Sequence, residues 1–307
     1  MTAGLPEAGQ HSGANHRLHK PGVAGSSPAA ASVGSALIDH APAEEYHRRP
    51  EVSCSQLKEL DSSPLSFYLR HERKSAPPKA GDALAYGTLL HLWAELGHDL
   101  FWSRAAVAPS DVVTATGQFG KAAEGWLKSQ PADTIPVAPA DAAKLRAQTE
   151  QILANDAARE CIEQSIDREF NVRWLWHGHA MRCRCDGATA EYWYDFKTTR
   201  EVDPLATAWK AVSDFRYDMQ SAVYEAAAAA AGWPASRLRF IFTSTVWPHH
   251  CAVVTLPEPV VRRGRNRALE LLAELQQRRE WDSWLPADYG RVHELECPKF
   301  MHEGGRK

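Results

Sequence analysis

The strongest constraint on the fold is a change of period. Upstream of residue 169 the apolar positions recur at helical spacing, and from Glu169 they alternate with polar ones every second residue. By this pattern Glu169 to Trp176, Ala180 to Asp186 and Glu191 to Lys197 are three consecutive strands, with His177-Gly178-His179 turning between the first two. A helix over about 205–231 follows, ending in alanines and a Gly232 cap. Two further strands, Leu238 to Val246 and Cys251 to Leu256, flank Trp247-Pro248, and a last helix covers about 258–280. Upstream, Ser53 caps a short helix that stops before Pro64. Leu89, Leu92, Trp93 and Leu96 stripe a helix over about 84–96. A loop-rich stretch over about 103–140 leads into an alanine-rich helix over about 140–160. Helices, a β-meander, a helix, two strands and a helix predict an α/β fold with a mixed central β-sheet flanked by helices.

Composition sets the limits of that fold. Residues 1–50 are rich in Gly, Ala, Ser, Pro and His and predict a disordered tail; 51–302 predict one folded domain and 303–307 a flexible end. No apolar run is long enough to span a bilayer and no secretory signal opens the chain, so the expected location is cytoplasmic, with no membrane partner. The six cysteines form no CxxC pair, which argues against a disulfide framework or a zinc ribbon. A net charge of −3 does not mark a basic nucleic-acid binder. A polyanion would have to be held by local strips such as Arg70-His71 with Arg73-Lys74, or Arg262, Arg263, Arg265 and Arg267, and each of these also fits a solvated helix face.

The chemistry concentrates around Asp195-Phe196-Lys197. Side chains alternate along a strand, so Asp195 and Lys197 share one face while Phe196 points into a core. Asp186 closes the preceding strand, and an antiparallel pairing brings its carboxylate near Asp195. Two converging carboxylates repel unless a cation lies between them, and hard oxygen ligands select Mg²⁺ or Mn²⁺. Held by Asp186, Asp195, the Phe196 carbonyl and waters, such a cation can polarise a phosphodiester and activate a water. Lys197 would then orient that water or stabilise the charge of the transition state. The same residues also fit a plainer arrangement, an Asp195–Lys197 ion pair at a strand end with Asp186 in a turn. His91 sits on an otherwise apolar helix, where a satisfied core or surface histidine is the ordinary case. Gln220 and Tyr224 are one helical turn apart and share a face, which is commonly solvated.

Taken in order, Gly87-Thr88-Leu89-Leu90-His91, Asp186, Asp195-Phe196-Lys197-Thr198-Thr199 and Gln220 to Tyr224 resemble the PD-(D/E)XK nucleases of the RecB-like branch, in particular the exodeoxyribonuclease VIII (RecE) type. Ser55-Gln56-Leu57-Lys58, Ser63-Pro64, the Glu169 strand and Pro298-Lys299-Phe300 extend the resemblance over about 53–300. It implies a restriction-endonuclease-like core and a Mg²⁺- or Mn²⁺-dependent DNA exonuclease. Such an enzyme resects duplex ends, 5′ to 3′, for phage-type recombination, with a single-strand annealing protein as partner and a ring-shaped homo-oligomer as assembly. It also implies that His91, Asp186 and Asp195 contact metal with the Phe196 carbonyl, that Lys197 is the catalytic lysine, and that Gln220 and Tyr224 position DNA. Glu169 is a further candidate at the start of the core sheet. Arg182 and Arg184 lie on the Asp186 side of their strand, opposite Cys183 and Cys185, and suit phosphate.

The sequence departs from the family pattern at Asp195, which replaces the more usual Glu before x-Lys, as RecE-like members accept. Some RecB-like nucleases clamp an iron–sulfur cluster with one cysteine before the core and three closely spaced after it. Here Cys54 precedes the core but only Cys297 follows the last helix, so no cluster is expected. An endonuclease or repair nuclease and a catalytically silent DNA-binding module are the alternatives on the same fold. The intact Asp-Asp-x-Lys set argues against the silent one. A small-molecule hydrolase lacks support, since neither Gly-x-Ser-x-Gly nor His-Glu-x-x-His occurs.

Overall fold

The computed structural model describes residues 36–77, 82–234, 237–286, 289–292 and 294. In chain order, strand β1 (Leu37–Asp39) and helix α1 (Ala43–Arg48) precede a two-residue strand β2 (Val52–Ser53) that runs directly into α2 (Cys54–Ser62). Helix α3 (Pro64–Phe67) continues into a π-helical turn over Tyr68–Glu72, followed by α4 (Asp82–Leu96) and α5 (His98–Arg104). Next come β3 (Ala105–Val107), α6 (Ala123–Ser129), β4 (Ile135–Val137), α7 (Pro139–Ala154) and α8 (Asp156–Glu163). The long hairpin β5 (Asp167–Trp176) and β6 (His179–Ala188) leads to β7 (Trp193–Thr199), α9 (Ala208–Asp214), α10 (Tyr217–Ala231), β8 (Arg239–Ser244), β9 (Cys251–Val254) and α11 (Glu258–Trp281).

Among the described residues β1, β2 and β5 to β9 form one seven-stranded mixed sheet in the order β1-β5-β6-β7-β8-β9, with β2 added beside β6. The β5–β6 turn is a two-residue loop with positive φ at both His177 and Gly178, the backbone that matches the twist of a tight hairpin. Helices cover both faces. On one, Phe170, Val172, Cys183 and Cys185 pack with Met219 and Val223 of α10 and Leu271 and Leu272 of α11. On the other, Tyr194, Phe196 and Ile241 pack with Leu90 and Trp93 of α4 and Leu145 and Ile152 of α7. The expected α/β fold with a mixed sheet flanked by helices is therefore the observed one, consistent with a restriction-endonuclease-like core.

Local caps explain several element boundaries. Ser53 accepts from Gln56 N–H while the Gln56 amide oxygen accepts from Ser53 N–H at 2.8 Å, a reciprocal cap that starts α2 facing the sheet. The single helix expected over 140–160 is split, because Asn155 leaves the helical backbone and its side chain caps α8 by accepting from Ala158 N–H at 3.0 Å. The single helix expected over 205–231 is also split. Arg216 takes a left-handed backbone (φ 52°) between α9 and α10, where its guanidinium pairs with Asp61 and the fully buried Asp218.

Two further expectations are corrected. The loop-rich stretch over 103–140 contains a parallel β3–β4 pair and α6. The tail expected over 1–50 is ordered from residue 36: β1 pairs with β5, and Asp39 ties the segment down through Arg49, Asn171 and the Ala41 N–H. Its low apolar content is offset by these polar contacts, which only the tertiary structure supplies. The remainder of that tail, the 303–307 end and Pro298-Lys299-Phe300 lie outside the described residues.

Helices α10 and α11 cross at backbone distance. A Cβ on Gly264 would lie 2.2 Å from the carbonyl carbon and oxygen of Asp218. Gly264→Ala is therefore expected to lower stability by about 1–3 kcal/mol, read as a drop in the urea midpoint. An unchanged midpoint would contradict this crossing.

Candidate active site

The site forms where β6 and β7 part. Their antiparallel ladder pairs Ala188 with Trp193 and Gly187 with Tyr194, then stops one rung before Asp186 would face Asp195. Farther along the same edge of β6, β2 pairs with Met181 and Arg182. The intervening edge opens onto a cavity of about 1040 Å³ lined by Cys183, Arg184, Asp186, Asp195 and Lys197, and by residues of α2, α4 and α10. The parting leaves the Phe196 N–H without a β6 carbonyl, and the Asp186 carboxylate takes that place, accepting from Phe196 N–H at 2.6 Å. The Phe196 N–H thus contacts a site residue, and the carbonyl of the same strand residue points to the same edge. The Phe196 ring is buried in the α4-side core, as the alternation required.

Three ligand-type side chains converge here. His91 Nδ1, on α4, lies 3.3 Å from Asp186 Oδ1 and 3.3 Å from Glu169 Oε1. Glu169 occupies the position in β5 that faces Asp186, in the gap between the paired residues Arg168↔Gly187 and Phe170↔Cys185. Its backbone is left-handed (φ 47°), a conformation that costs a non-glycine strand residue about 1–3 kcal/mol. Strain of that kind persists only where the surroundings fix it. Here Arg184 Nε donates to Glu169 Oε2 at 2.8 Å, while the other oxygen, Oε1, is buried with only the His91 ring nitrogen near it, at 3.3 Å and shared with Asp186. Two carboxylates and an imidazole, with one carboxylate oxygen so poorly satisfied, are a donor set that fits a divalent cation. Glu169, the loosest of the candidates from sequence, is therefore in the cluster. Asp195, expected as a ligand, lies outside it.

Asp195 and Lys197 are paired on the α10 side of the parting. The Lys197 ammonium contacts Asp195 Oδ2, and Gln220 Nε2 donates to Asp195 Oδ1 at 2.9 Å. Tyr224, one turn along α10, donates its hydroxyl to the Arg184 carbonyl at 2.7 Å and so braces β6. Gln220 and Tyr224 thus do share a face, and that face is turned to the cavity, not to bulk solvent.

The arginines divide. Arg184 lines the cavity beside Glu169. Arg182 does not: it is 2% exposed, donates to the Arg49 and Glu51 carbonyls and lies over the Tyr46 ring. The expected DNA contact by Arg182 is corrected on that ground, since the side chain is buried away from the cavity with its Nη1 given to the backbone that positions β2. Four residues of the two basic strips, which fitted either a phosphate groove or a solvated helix face, are answered within the fold. Arg263 pairs with Asp218 and Arg267 with Asp61, while Arg70 and His71 both pair with Glu59.

Electrostatics follow from burial and proximity. The Asp186 charge pushes His91 up to about 11 against the opposing effect of burial, with Glu169 adding to the rise. Burial alone would raise Asp186, but His91, Lys197 and the Phe196 N–H outweigh it and hold the carboxyl below its ordinary range. For Asp195 burial is the largest effect and the neighbouring Asp186 adds to it, so that even with Lys197 attached the carboxyl is pushed up to about 6. Burial lowers Lys197, yet Asp195, Tyr217 and Asp186 together keep it above the usual lysine range and fully charged.

Sequence reasoning missed Lys58, which enters the cavity from α2 and donates to Gln220 Oε1 at 3.0 Å. It lies inside the Ser55-Gln56-Leu57-Lys58 stretch, but nothing in the local periodicity separates it from a solvated helix lysine.

A divergent strand pair carrying Asp186 and Asp-x-Lys, faced by an acidic cluster with a histidine, is the arrangement of a hydrolytic nuclease core. The model of the PD-(D/E)XK nuclease superfamily matches residues 51–304, and the chain belongs to that superfamily. Among solved structures it is similar to one from Eubacterium rectale described as a "putative exonuclease". That likeness has a TM-score of 0.58 at 11% identity, over 87% of this chain and 99% of the other. No curated protein matches the sequence. No helix among the described residues is long and apolar enough to cross a membrane.

Proposed function

We propose that the chain is a Mg²⁺- or Mn²⁺-dependent exonuclease that hydrolyses duplex DNA from its ends, 5′ to 3′, in the manner of RecE-type recombination enzymes. The observation that carries this reading is the juxtaposition, across one parting strand pair, of the His91–Glu169–Asp186 cluster with the Asp195–Lys197 pair. His91, Glu169 and Asp186 would hold the cation, with Asp195 on its second side. A divalent ion bound there supplies Lewis-acid polarisation of the phosphodiester and lowers the pKa of a coordinated water.

The protein's own groups do the rest. Lys197, charged at neutral pH, faces the negative charge that develops on the phosphoryl oxygens. Gln220 fixes the Asp195 carboxylate from behind and leaves the other oxygen to Lys197. Tyr224 keeps the Arg184 strand in register, and Arg184, which lines the cavity while held by Glu169 and the Ala41 carbonyl, would turn its remaining N–H groups to a neighbouring phosphate. The exonuclease description of the Eubacterium rectale structure supports the same reading. An annealing protein and a ring-shaped assembly belong to this proposal as the partners that RecE-type resection requires.

The test is digestion of linear duplex labelled at either end, beside covalently closed circular DNA, with Mg²⁺ and with EDTA. The expected result is release of the 5′ label from linear DNA in Mg²⁺ alone, with the circle intact. Cleavage of the circle would replace the exonuclease by an endonuclease on the same fold.

A further inference from the structure

The cations lining the cavity are not equivalent. Arg184 is neutralised by Glu169, Lys197 by Asp195, and Arg216 by Asp61 and Asp218. Lys58 is the exception among the described residues. It is partly buried, its hydrogen-bond partner is the neutral Gln220 amide, and its other close neighbour is the Tyr217 ring, 5.0 Å from Nζ to centroid. Asp195 and Asp218 act on it only at longer range, and burial holds its pKa below the ordinary lysine value.

The nearer carboxylates of the cavity are otherwise engaged: Asp61, one turn along α2, is held by Arg216 and Arg267, and Asp195 is separated from Lys58 by Gln220. Gln220 accepts from Lys58 through Oε1 and donates to Asp195 through Nε2, so the amide stands between the ammonium and the carboxylate. One of the three Lys58 N–H donors is used in that contact, which leaves two. Lys197 approaches the same Tyr217 ring at 5.1 Å, so two ammonium groups share one wall of the cavity. Beside Lys58 that wall is made by Ser53, Cys54 and Ser55 at the N-terminal end of α2, the positive end of the helix. A partly desolvated ammonium without a counter-ion is unfavourable, and an anion entering the cavity relieves it.

We propose that Lys58 is a phosphate-binding residue that contacts one phosphodiester of the bound DNA strand, a different phosphate from the one that Lys197 serves. This rests on the nuclease reading, and it assigns to α2 a part in substrate binding separate from the metal-side chemistry.

The test compares full-length wild type, Lys58→Met and Lys58→Arg for binding of a fluorescent duplex oligonucleotide in EDTA, which prevents turnover, across a series of salt concentrations. Loss of one phosphate contact lowers the slope of log affinity against log salt by about 0.9 and weakens binding by about tenfold or more. Lys58→Met is expected to show both changes, and Lys58→Arg is expected to keep the wild-type slope. A role confined to orienting Gln220 can weaken binding but leaves the slope unchanged, and that result would overturn the assignment. Lys58→Gln serves as a second uncharged variant should the methionine form not fold, and the same slope decides. If wild type itself shows no salt-dependent binding, the nuclease reading falls and this one with it. Binding by all forms with one common slope removes only the role of Lys58.

Discussion

Lys197→Met is expected to reduce metal-dependent cleavage of linear duplex by at least about 10²–10³-fold, the usual effect of removing one preorganised group that faces transition-state charge. Lys197 is suited to that role because Asp195, Tyr217 and Asp186 keep it protonated well beyond neutral pH, so its charge is present in every turnover. The substitution removes the counter-ion of a buried carboxylate, which would be destabilising by several kcal/mol if Asp195 stayed ionised. Asp195 is already pushed up to about 6 with the lysine present. Without it the carboxyl rises further and takes up a proton, so the fold survives at neutral pH and weakens only as pH rises and forces ionisation. Lys197→Arg is not expected to rescue, because a planar guanidinium cannot occupy the space of a compact ammonium between Asp195 and the Tyr217 ring. Single-turnover cleavage rates, with circular dichroism melting as the control, check both halves. Retention of Mg²⁺-dependent digestion by a folded Lys197→Met protein would remove Lys197 from the chemistry.

What was legible in the sequence follows the distance over which each feature is determined. Strand alternation is local, so the placement of Asp195 and Lys197 on one face, of Phe196 in a core, and of Cys183 and Cys185 in the opposite core could be read directly. The antiparallel connection of β6 to β7 was equally legible, but the ladder ends one rung short of Asp186 and Asp195, and Asp195 lies outside the cluster that Asp186 joins. His91 was visible only through family resemblance, because its partners lie on β5 and β6 and no helical periodicity distinguishes it from a surface histidine.

Glu169 became a cluster member through its left-handed backbone, and a glutamate in a strand gives no local sign of that. The Asn155 break did carry a sign, since Asn followed by Asp is a common helix start. The break at Arg216 carried none: it depends on Asp61, far back in the chain, and on a buried Asp218. The basic strips were undecided in the sequence for the same reason. Arg263 and Arg267 are cationic in sequence, yet their charges are answered by carboxylates that only the fold brings within reach.

Asp186→Asn is expected to weaken Mn²⁺ binding by more than about a hundredfold and to move the titration of His91 by several pH units. Loss of a ligand should exceed the roughly 10–100-fold effect of losing a group that merely supports one. In the metal-free protein His91 is raised from 6.5 to about 11, with Asp186 as the largest cause. Because the folded value lies above the unfolded one, the imidazolium–carboxylate interaction stabilises the fold fully below pH 6.5, and that contribution is lost as pH climbs toward 11. A ligating histidine must be neutral, so cation binding by wild type near neutral pH has to expel this proton, and apparent affinity should rise about tenfold per pH unit. In Asp186→Asn the main raising charge is gone while burial still lowers the group, so His91 returns toward the ordinary range. The proton release near pH 8 and the alkaline loss of stability in EDTA should then disappear together. Imidazole proton resonances followed in EDTA give the His91 titration directly. Mn²⁺ calorimetry in two buffers of different ionisation enthalpy counts the protons released. If wild type binds Mn²⁺ near pH 8 without releasing a proton while the resonances show His91 protonated in EDTA, the imidazole stays charged beside the ion and its assignment as a ligand fails.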